Sequence, residues 1–359
     1  MKKIDWPLLL LTIFLVLIGT ALIYSASCGI KTELSNLVNR QITWIIIGIF
    51  LLLLFINFSY RNLAKISYPL YFLSLLLLLL VLFIGKGRAG TSRWLTFAGF
   101  YLQPSEFSKL IFILVAARYL ADIGKKVKRF SFLIPYFLLT AIPFLLILKQ
   151  PNLGTALVFL PISLGILWSA GMRKKHLILL IFLTLFSSPI LWFTVLKDYQ
   201  RARLLVFINP NADPLGSGYN IIQSKIAIGS GGLIGKGFLH GTQSHLAFLP
   251  EYHTDFIFCV LAEEWGFIGG IVLLSLYILF LRELIKIAVG ASEPFAKLTA
   301  TGIAVMFAFH IFVNIGMVLG MLPVAGLPLP FLSYGGSSLI TFLIAVGIML
   351  NIRKNEMMF

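Results

Sequence analysis

The sequence predicts an all-α polytopic membrane protein, about ten transmembrane helices in a single integral unit over 1–359, with a large extracytoplasmic loop between helices 7 and 8. Three observations predict it. The chain is 59% hydrophobic and 12% charged, with a mean hydropathy of +0.97, whereas a soluble globule carries roughly 25% charged residues. Its apolar residues fall in runs long enough to cross about 30 Å of hydrocarbon at about 1.5 Å per residue. One stretch, 197–254, interrupts that rhythm with Lys197, Arg201, Arg203, Lys225, Lys236 and many glycines. Irregular connections beyond about 15 residues are uncommon in compact proteins and tend to be functional. Its aromatic and branched apolar residues argue against disorder.

The first run, 6–24, follows Met1-Lys2-Lys3 and so imitates a signal peptide, with Ser25-Ala26-Ser27-Cys28 in place of a processing site. Nine further runs make a retained helix the expectation, and Ser25 stands where a lipoprotein signal carries Leu. The next runs cover 42–58, 68–85, 104–120, 130–148, 153–170 and 176–196, and those after the loop cover 255–281, 298–321 and 333–352. Pro104 opens the fourth at a first-turn position that proline tolerates. The eighth is reached through Thr254 and Asp255, which suit an N-cap and a first-turn acid.

Orientation follows from the basic residues. With Met1 inside, Lys2, Lys3, Arg61, Lys65, Arg118, Lys125, Lys126, Lys128, Arg129, Arg173, Lys174, Lys175, Arg282, Lys286, Lys297, Arg353 and Lys354 are cytoplasmic, most of the 29. That bias puts both termini inside and 197–254 outside. The net charge of +16 then reflects loops facing anionic lipid heads, and no nucleic-acid partner is expected. Cys28 and Cys259 are the two cysteines, which supports neither a disulfide framework nor a thiolate metal site. In Gly229-Ser230-Gly231-Gly232-Leu233-Ile234-Gly235-Lys236-Gly237 the Walker spacing is wrong and Gly237 replaces the required hydroxyl. No nucleotide, haem or flavin is expected.

Charges at membrane depth cost roughly 2.5–3.5 kcal/mol even on lenient scales, so the few present are informative. Glu106 and Lys109 share a helix face at i, i+3 and can neutralise each other, as a structural ion pair or as a site for an anionic head group. Asp255 faces the outer mouth beside a glycine-rich loop, where a carboxylate suits catalysis or a metal; read as a first-turn acid, it is held ionised by the helix dipole. Glu263 and Glu264 fall about 12 Å deeper on other faces and read as structural. Arg201 and Arg203, with Lys225 and Lys236, suit a phosphate-bearing ligand, since guanidinium binds phosphate in bidentate fashion. His240, His245 and His253 are too irregularly spaced for a metal site.

Several motifs together resemble one family. They are Arg93-Trp94-Leu95, Leu102-Gln103-Pro104-Ser105-Glu106 with Lys109, Gln150-Pro151-Asn152-Leu153-Gly154-Thr155, Asp213-Pro214-Leu215-Gly216-Ser217-Gly218-Tyr219-Asn220 with Gln223-Ser224, the stretch 248–255 with Glu263-Glu264, and Pro330-Phe331-Leu332-Ser333-Tyr334-Gly335-Gly336-Ser337-Ser338. In this order they resemble the SEDS proteins of shape, elongation, division and sporulation, over nearly the whole chain. Short tails and the stretch from Thr242-Gln243-Ser244 to Leu249-Pro250-Glu251 sit nearer the elongation branch. Two departures stand out: Asn152, where the family commonly has Asp, and Tyr252, where it commonly has Ala.

The resemblance implies a peptidoglycan glycosyltransferase in the bacterial cytoplasmic membrane, polymerising lipid II on its outer face. A class B penicillin-binding protein and other elongation-complex membrane proteins would be its partners. A sugar hydroxyl would attack the anomeric carbon of a donor whose leaving group is a pyrophosphate. That group departs as an anion, so the paired carboxyls of glycoside hydrolases are unnecessary. Asp255 is the expected catalytic residue, either as base or as ligand of a divalent cation (Mg or Mn); a dipole-lowered pKa would favour the second role. Trp94, Glu106, Lys109, Arg201, Arg203, Lys225, Lys236 and Ser337 are the expected substrate contacts. A lipid II flippase and a non-enzymatic scaffold are the rival readings. A transporter should hold its charged site at the midplane on broken helices.

Overall fold

The computed structural model describes residues 5–28, 35–85, 93–97, 100–176, 178–180, 182, 186, 198–210, 213–214, 216, 218–245, 248 and 250–356. Seven of its helices are long and apolar enough to cross a membrane. They are α1 (Trp6–Cys28), α2 (Ser35–Asn57, apolar from Leu37), α3 (Tyr60–Ile84), α5 (Ile134–Lys149, extended by a 3₁₀ turn from Phe130), α10 (Ile257–Gly290), α11 (Pro294–Val318) and α12 (Gly336–Glu356). The sequence predicted ten. Of the other three, α4 (Pro104–Ile123) carries Glu106, Lys109, Arg118 and Asp122 within 20 residues, and α6 (Leu153–Ser169) is only 17 residues long. The run at 176–196 lies largely outside the described residues.

Centrality follows from the apolar pattern. A helix that is apolar all round must be covered on every side or face lipid. In α12, 89% of the apolar window is buried and in α11 72%, against 17% in α2 and 28% in α3. α12 and α11 therefore form the axis of the bundle, and α1, α2, α3 and α5 wrap it with exposed Leu, Ile and Phe suited to lipid.

One end of the bundle is tied by polar contacts. Tyr60 Oη donates to Glu293 (2.6 Å), Ser292 N to Glu356 (3.0 Å), Lys354 Nζ to Asn57 (2.9 Å), and Arg353 pairs with Asp5 (3.4 Å). The opposite end carries two departures from the expected fold. An antiparallel hairpin, β1 (Leu95–Phe97) and β2 (Phe100–Leu102), precedes α4, so the fold is helical but not purely so. The segment 197–254 is not an irregular connection either. It contains α7 (Asp198–Ile208), α8 (Tyr219–Gly231) and the single turn α9 (Thr242–His245). A polar segment with glycine punctuation hides the period that would have revealed these helices.

α10 is broken at Gly266, whose φ of 65° and ψ of −160° are accessible essentially to glycine alone. The break frees backbone groups that hydrocarbon cannot satisfy, and the chain after α8 takes them up. Lys236 N donates to Glu263 O (3.0 Å) and Gly237 N to Glu264 O (2.9 Å), while Phe267 N and Ile268 N donate to Gly232 O (2.9 Å) and Leu233 O (3.1 Å). The approach is backbone to backbone: a Cβ on Gly266 would lie 2.4 Å from Gly235 N. The glycine run therefore plugs a broken helix. Gly266→Ala should cost at least ~1–3 kcal/mol from the backbone alone and lower the melting temperature of the detergent-purified protein. Gly270→Ala, with only Phe258 at 3.8 Å, should leave it nearly unchanged.

Candidate active site

Asp255 does not occupy the first turn of α10. That helix begins at Ile257 with Phe256 as N-cap residue, so Thr254 is not the cap. Residues 250–256 instead form a tight turn hung on one carbonyl, that of Glu251, which accepts from the N–H groups of Thr254 (3.1 Å), Asp255 (3.1 Å) and Phe256 (3.4 Å). Glu251 holds a φ of 53° to do so, and its carboxylate accepts from Thr254 Oγ1 (3.3 Å).

The second wall is the non-helical segment between α11 and α12. Gly326 passes so close that a Cβ there would lie 3.4 Å from Asp255 Oδ2. Ser333 Oγ donates to Thr254 O (2.5 Å), and Tyr334 N donates to His253 O (2.8 Å). The rings of Tyr252, His253 and Tyr334 pack in series at 5.2 and 5.8 Å between centroids. Burial pushes the His253 imidazole below its ordinary range and so keeps it neutral.

The Asp255 carboxyl is pushed up to about 6, first by burial and then by the neighbouring charge of Glu251, with Arg203 and Arg93 pulling the other way. A dipole-lowered carboxylate was the expectation. Starting two residues ahead of the helix removes most of that dipole, which falls off within a turn, and the like charge of Glu251 acts oppositely.

Arg203, on α7, reaches Val324 O with Nη1 (3.3 Å). Arg201 is two residues away, about 200° around that helix, so of these two arginines it is Arg203 that acts on Asp255. Arg93, at the start of the hairpin, donates to Gln150 O (3.4 Å) and Pro151 O. This anchors it beside the α5–α6 corner, where Asn152 caps α6 through Thr155 N (3.4 Å). An uncharged amide performs that capping as well as an Asp would.

The other expected contacts are distributed. Lys236 pairs with the buried Glu263 (2.6 Å), whose carboxylate also accepts from Thr242 and Gln243; Glu264 is held by Ser25. Both glutamates thus have structural partners. Lys225 is exposed on α8 with its stem across Gly320. Ser337 Oγ accepts from Gln103 N (2.9 Å), fixing the start of α4 to α12. Trp94 is half-buried at the root of the hairpin. Glu106 and Lys109 form the expected pair (2.9 and 3.0 Å), but fully inside the bundle, and Lys109 Nζ also meets His310 Nε2 (2.9 Å).

Of the expected residues, the structure gathers Asp255 and Arg203, and it adds Arg93 and Glu251. Both additions lie in motifs that the sequence displays. Among the described residues no three His, Cys, Asp or Glu side chains gather as a metal site.

A membrane-spanning bundle with a carboxylate and two guanidinium groups converging at one end, beneath a hairpin and a helical loop, defines a multi-pass membrane protein with an end-on polar site. Comparison with known proteins gives the family. The "Cell cycle protein" model of FtsW, RodA and SpoVE matches residues 6–358, and the chain belongs to that SEDS family. It is 41% identical to the probable peptidoglycan glycosyltransferase FtsW of Geobacter metallireducens over 98% of this chain and 95% of that one. It is 40% identical to the peptidoglycan glycosyltransferase MrdB of Escherichia coli K12 over 99% and 97%. Among solved structures, it superposes on a chain of a peptidoglycan synthase complex that coordinates polymerization and crosslinking (34% identity, 99% and 98% coverage, TM-score 0.84). It also superposes on the rod shape determining protein RodA of Thermus thermophilus (32%, 99% and 98%, TM-score 0.74).

Proposed function

We propose that this chain transfers glycan through Asp255. It is a peptidoglycan glycosyltransferase that polymerises lipid II, the undecaprenyl-pyrophosphate-linked disaccharide peptide. The acceptor sugar hydroxyl gives its proton to the Asp255 carboxylate as its oxygen bonds to the donor's anomeric carbon. The bond from that carbon to the pyrophosphate oxygen breaks, and the pyrophosphate leaves with the electron pair. Arg203 and Arg93 supply positive charge on the side where the anion departs, in a partly water-excluded site where such charge counts most.

What supports this reading is the placing of the Asp255 carboxyl, held on the Glu251 turn against Gly326 with Arg203 anchored nearby on Val324 O, together with a pKa pushed up to about 6. A base works best with a pKa near the operating pH, so the base role is preferred over that of permanent anion. Asp255 and Glu251 are also the hard oxygen donors that Mg²⁺ or Mn²⁺ takes, with its remaining positions left to substrate. When bound there, such an ion would neutralise charge on the leaving pyrophosphate. A flippase would draw on the broken helix at Gly266, but the groups freed there are filled by residues 232–237.

The catalytic form is the ionised one, so polymerisation should rise with pH through a midpoint near about 6 and level off above it. The measurement is kcat/KM for purified protein on lipid II between about pH 5 and 8. A flat profile across that range would remove Asp255 as the base.

The same reading places ten spans in the bacterial cytoplasmic membrane, both termini inside, residues 197–254 and the Asp255 site outside, and a class B transpeptidase alongside. Thiols introduced at Ser217, outside the described residues, and at Ser244 should react with an impermeant reagent on intact cells. One introduced at Ser292, at the end tied by Glu293 and Glu356, should not, and labelling there would reverse the orientation.

A further inference from the structure

Asn314 and His310 lie one turn apart on α11, both fully buried, and the chemistry above uses neither. Buried amide and imidazole groups are costly unless hydrogen-bonded, so their partners reveal their role. Asn314 Nδ2 donates to Leu327 O (2.7 Å) and to the backbone O of Asp255 (2.9 Å). His310 Nδ1 lies 3.1 Å from Pro328 O. A carbonyl only accepts, so Nδ1 carries the proton and Nε2 accepts from Lys109. α11 thus grips two consecutive carbonyls of the non-helical segment, and one of the two gripping side chains also holds Asp255. Ser333 Oγ completes the frame, accepting from Leu329 N (2.8 Å) while donating to Thr254 O.

We infer that Asn314 is a positioning residue for glycan transfer, fixing Asp255 through its backbone, and that His310 steadies the adjoining carbonyl and joins this frame to Lys109. The inference rests on the role given to Asp255 above. Asp255 stands in a turn outside α10, with no helical hydrogen bonds of its own to fix its carbonyl. Asn314 supplies that restraint from α11, one of the two most buried long helices of the bundle. Displacement of a reacting group by about 1 Å costs on the order of 10²-fold in rate.

Asn314→Leu keeps the heavy-atom count and branching of the side chain and removes both donated bonds. It should lower kcat for lipid II polymerisation by about 10²-fold with KM little changed, and Asn314→Ser, which shortens the side chain and also withdraws the amide donor, should do likewise. A second readout does not depend on catalysis: the rate at which a soluble maleimide labels the thiol of Asp255→Cys, in full-length protein carrying Cys28→Ser because Cys28 is exposed. Adding Asn314→Leu, or Asn314→Ser if the leucine variant does not fold, should change that rate several-fold. An unchanged labelling rate overturns the inference whatever happens to kcat. A changed labelling rate with unchanged kcat upholds the positioning and instead overturns the catalytic role of Asp255.

Discussion

Replacing Lys109 by Met, or Glu106 by Gln, should each damage the protein severely, while the double substitution should be no worse than the harsher single one. The pair lies inside the bundle with Lys109 at 0% and Glu106 at 3% exposure, where water cannot screen a stranded charge. Breaking such a pair from one side costs about 3–5 kcal/mol, whereas removing both partners can be nearly neutral. Lys109→Met leaves the Glu106 carboxylate without its cation and His310 Nε2 without its donor. Glu106→Gln leaves the Lys109 ammonium with His310, which cannot neutralise it. The melting temperature in detergent and the polymerisation rate, measured for both singles and the double, form the cycle. Strictly additive losses would mean that the two residues act independently, the pair being then a geometric coincidence.

The membrane character of the chain was legible because hydrocarbon imposes a length and a polarity that no other solvent does. The runs at 6–24 and 333–352 fall on α1 and α12 for that reason. The run at 104–120 likewise falls on α4, but Glu106, Lys109, Arg118 and Asp122 dilute its apolarity and keep it out of the seven long apolar helices, the first two being neutralised within the bundle. α7, α8 and α9 were hidden because loop helices that pack on a bundle end need no long apolar stripe.

Charge economy singled out Asp255, but its surroundings were misread. A local rule placed it in a helix's first turn, whereas the turn on Glu251 and tertiary contacts from Ser333 and Asn314 hold it outside. The partner of Lys236 was out of view for the same reason, since Glu263 is 27 residues away in sequence and meets it beside the break at Gly266. His310 and Asn314 did leave a trace, two polar residues at i, i+4 within the apolar run 298–321. Such a pair inside a membrane helix marks an internal contact.

The catalytic claim is tested most directly by Asp255→Asn. The amide keeps the size of the side chain, and the backbone carbonyl that Asn314 holds is untouched, so the variant should insert, fold and melt near the parent. What it loses is the basic carboxylate oxygen that takes the acceptor's proton, a contribution of about 10²–10⁴-fold for a general base. The decisive measurement is glycan chain length and rate from lipid II supplied in detergent, where no transbilayer movement is needed. Asp255→Asn should yield no polymer above background while the parent yields long strands. Polymer made by a folded Asp255→Asn protein at the parental rate would contradict the assignment of the transfer to Asp255.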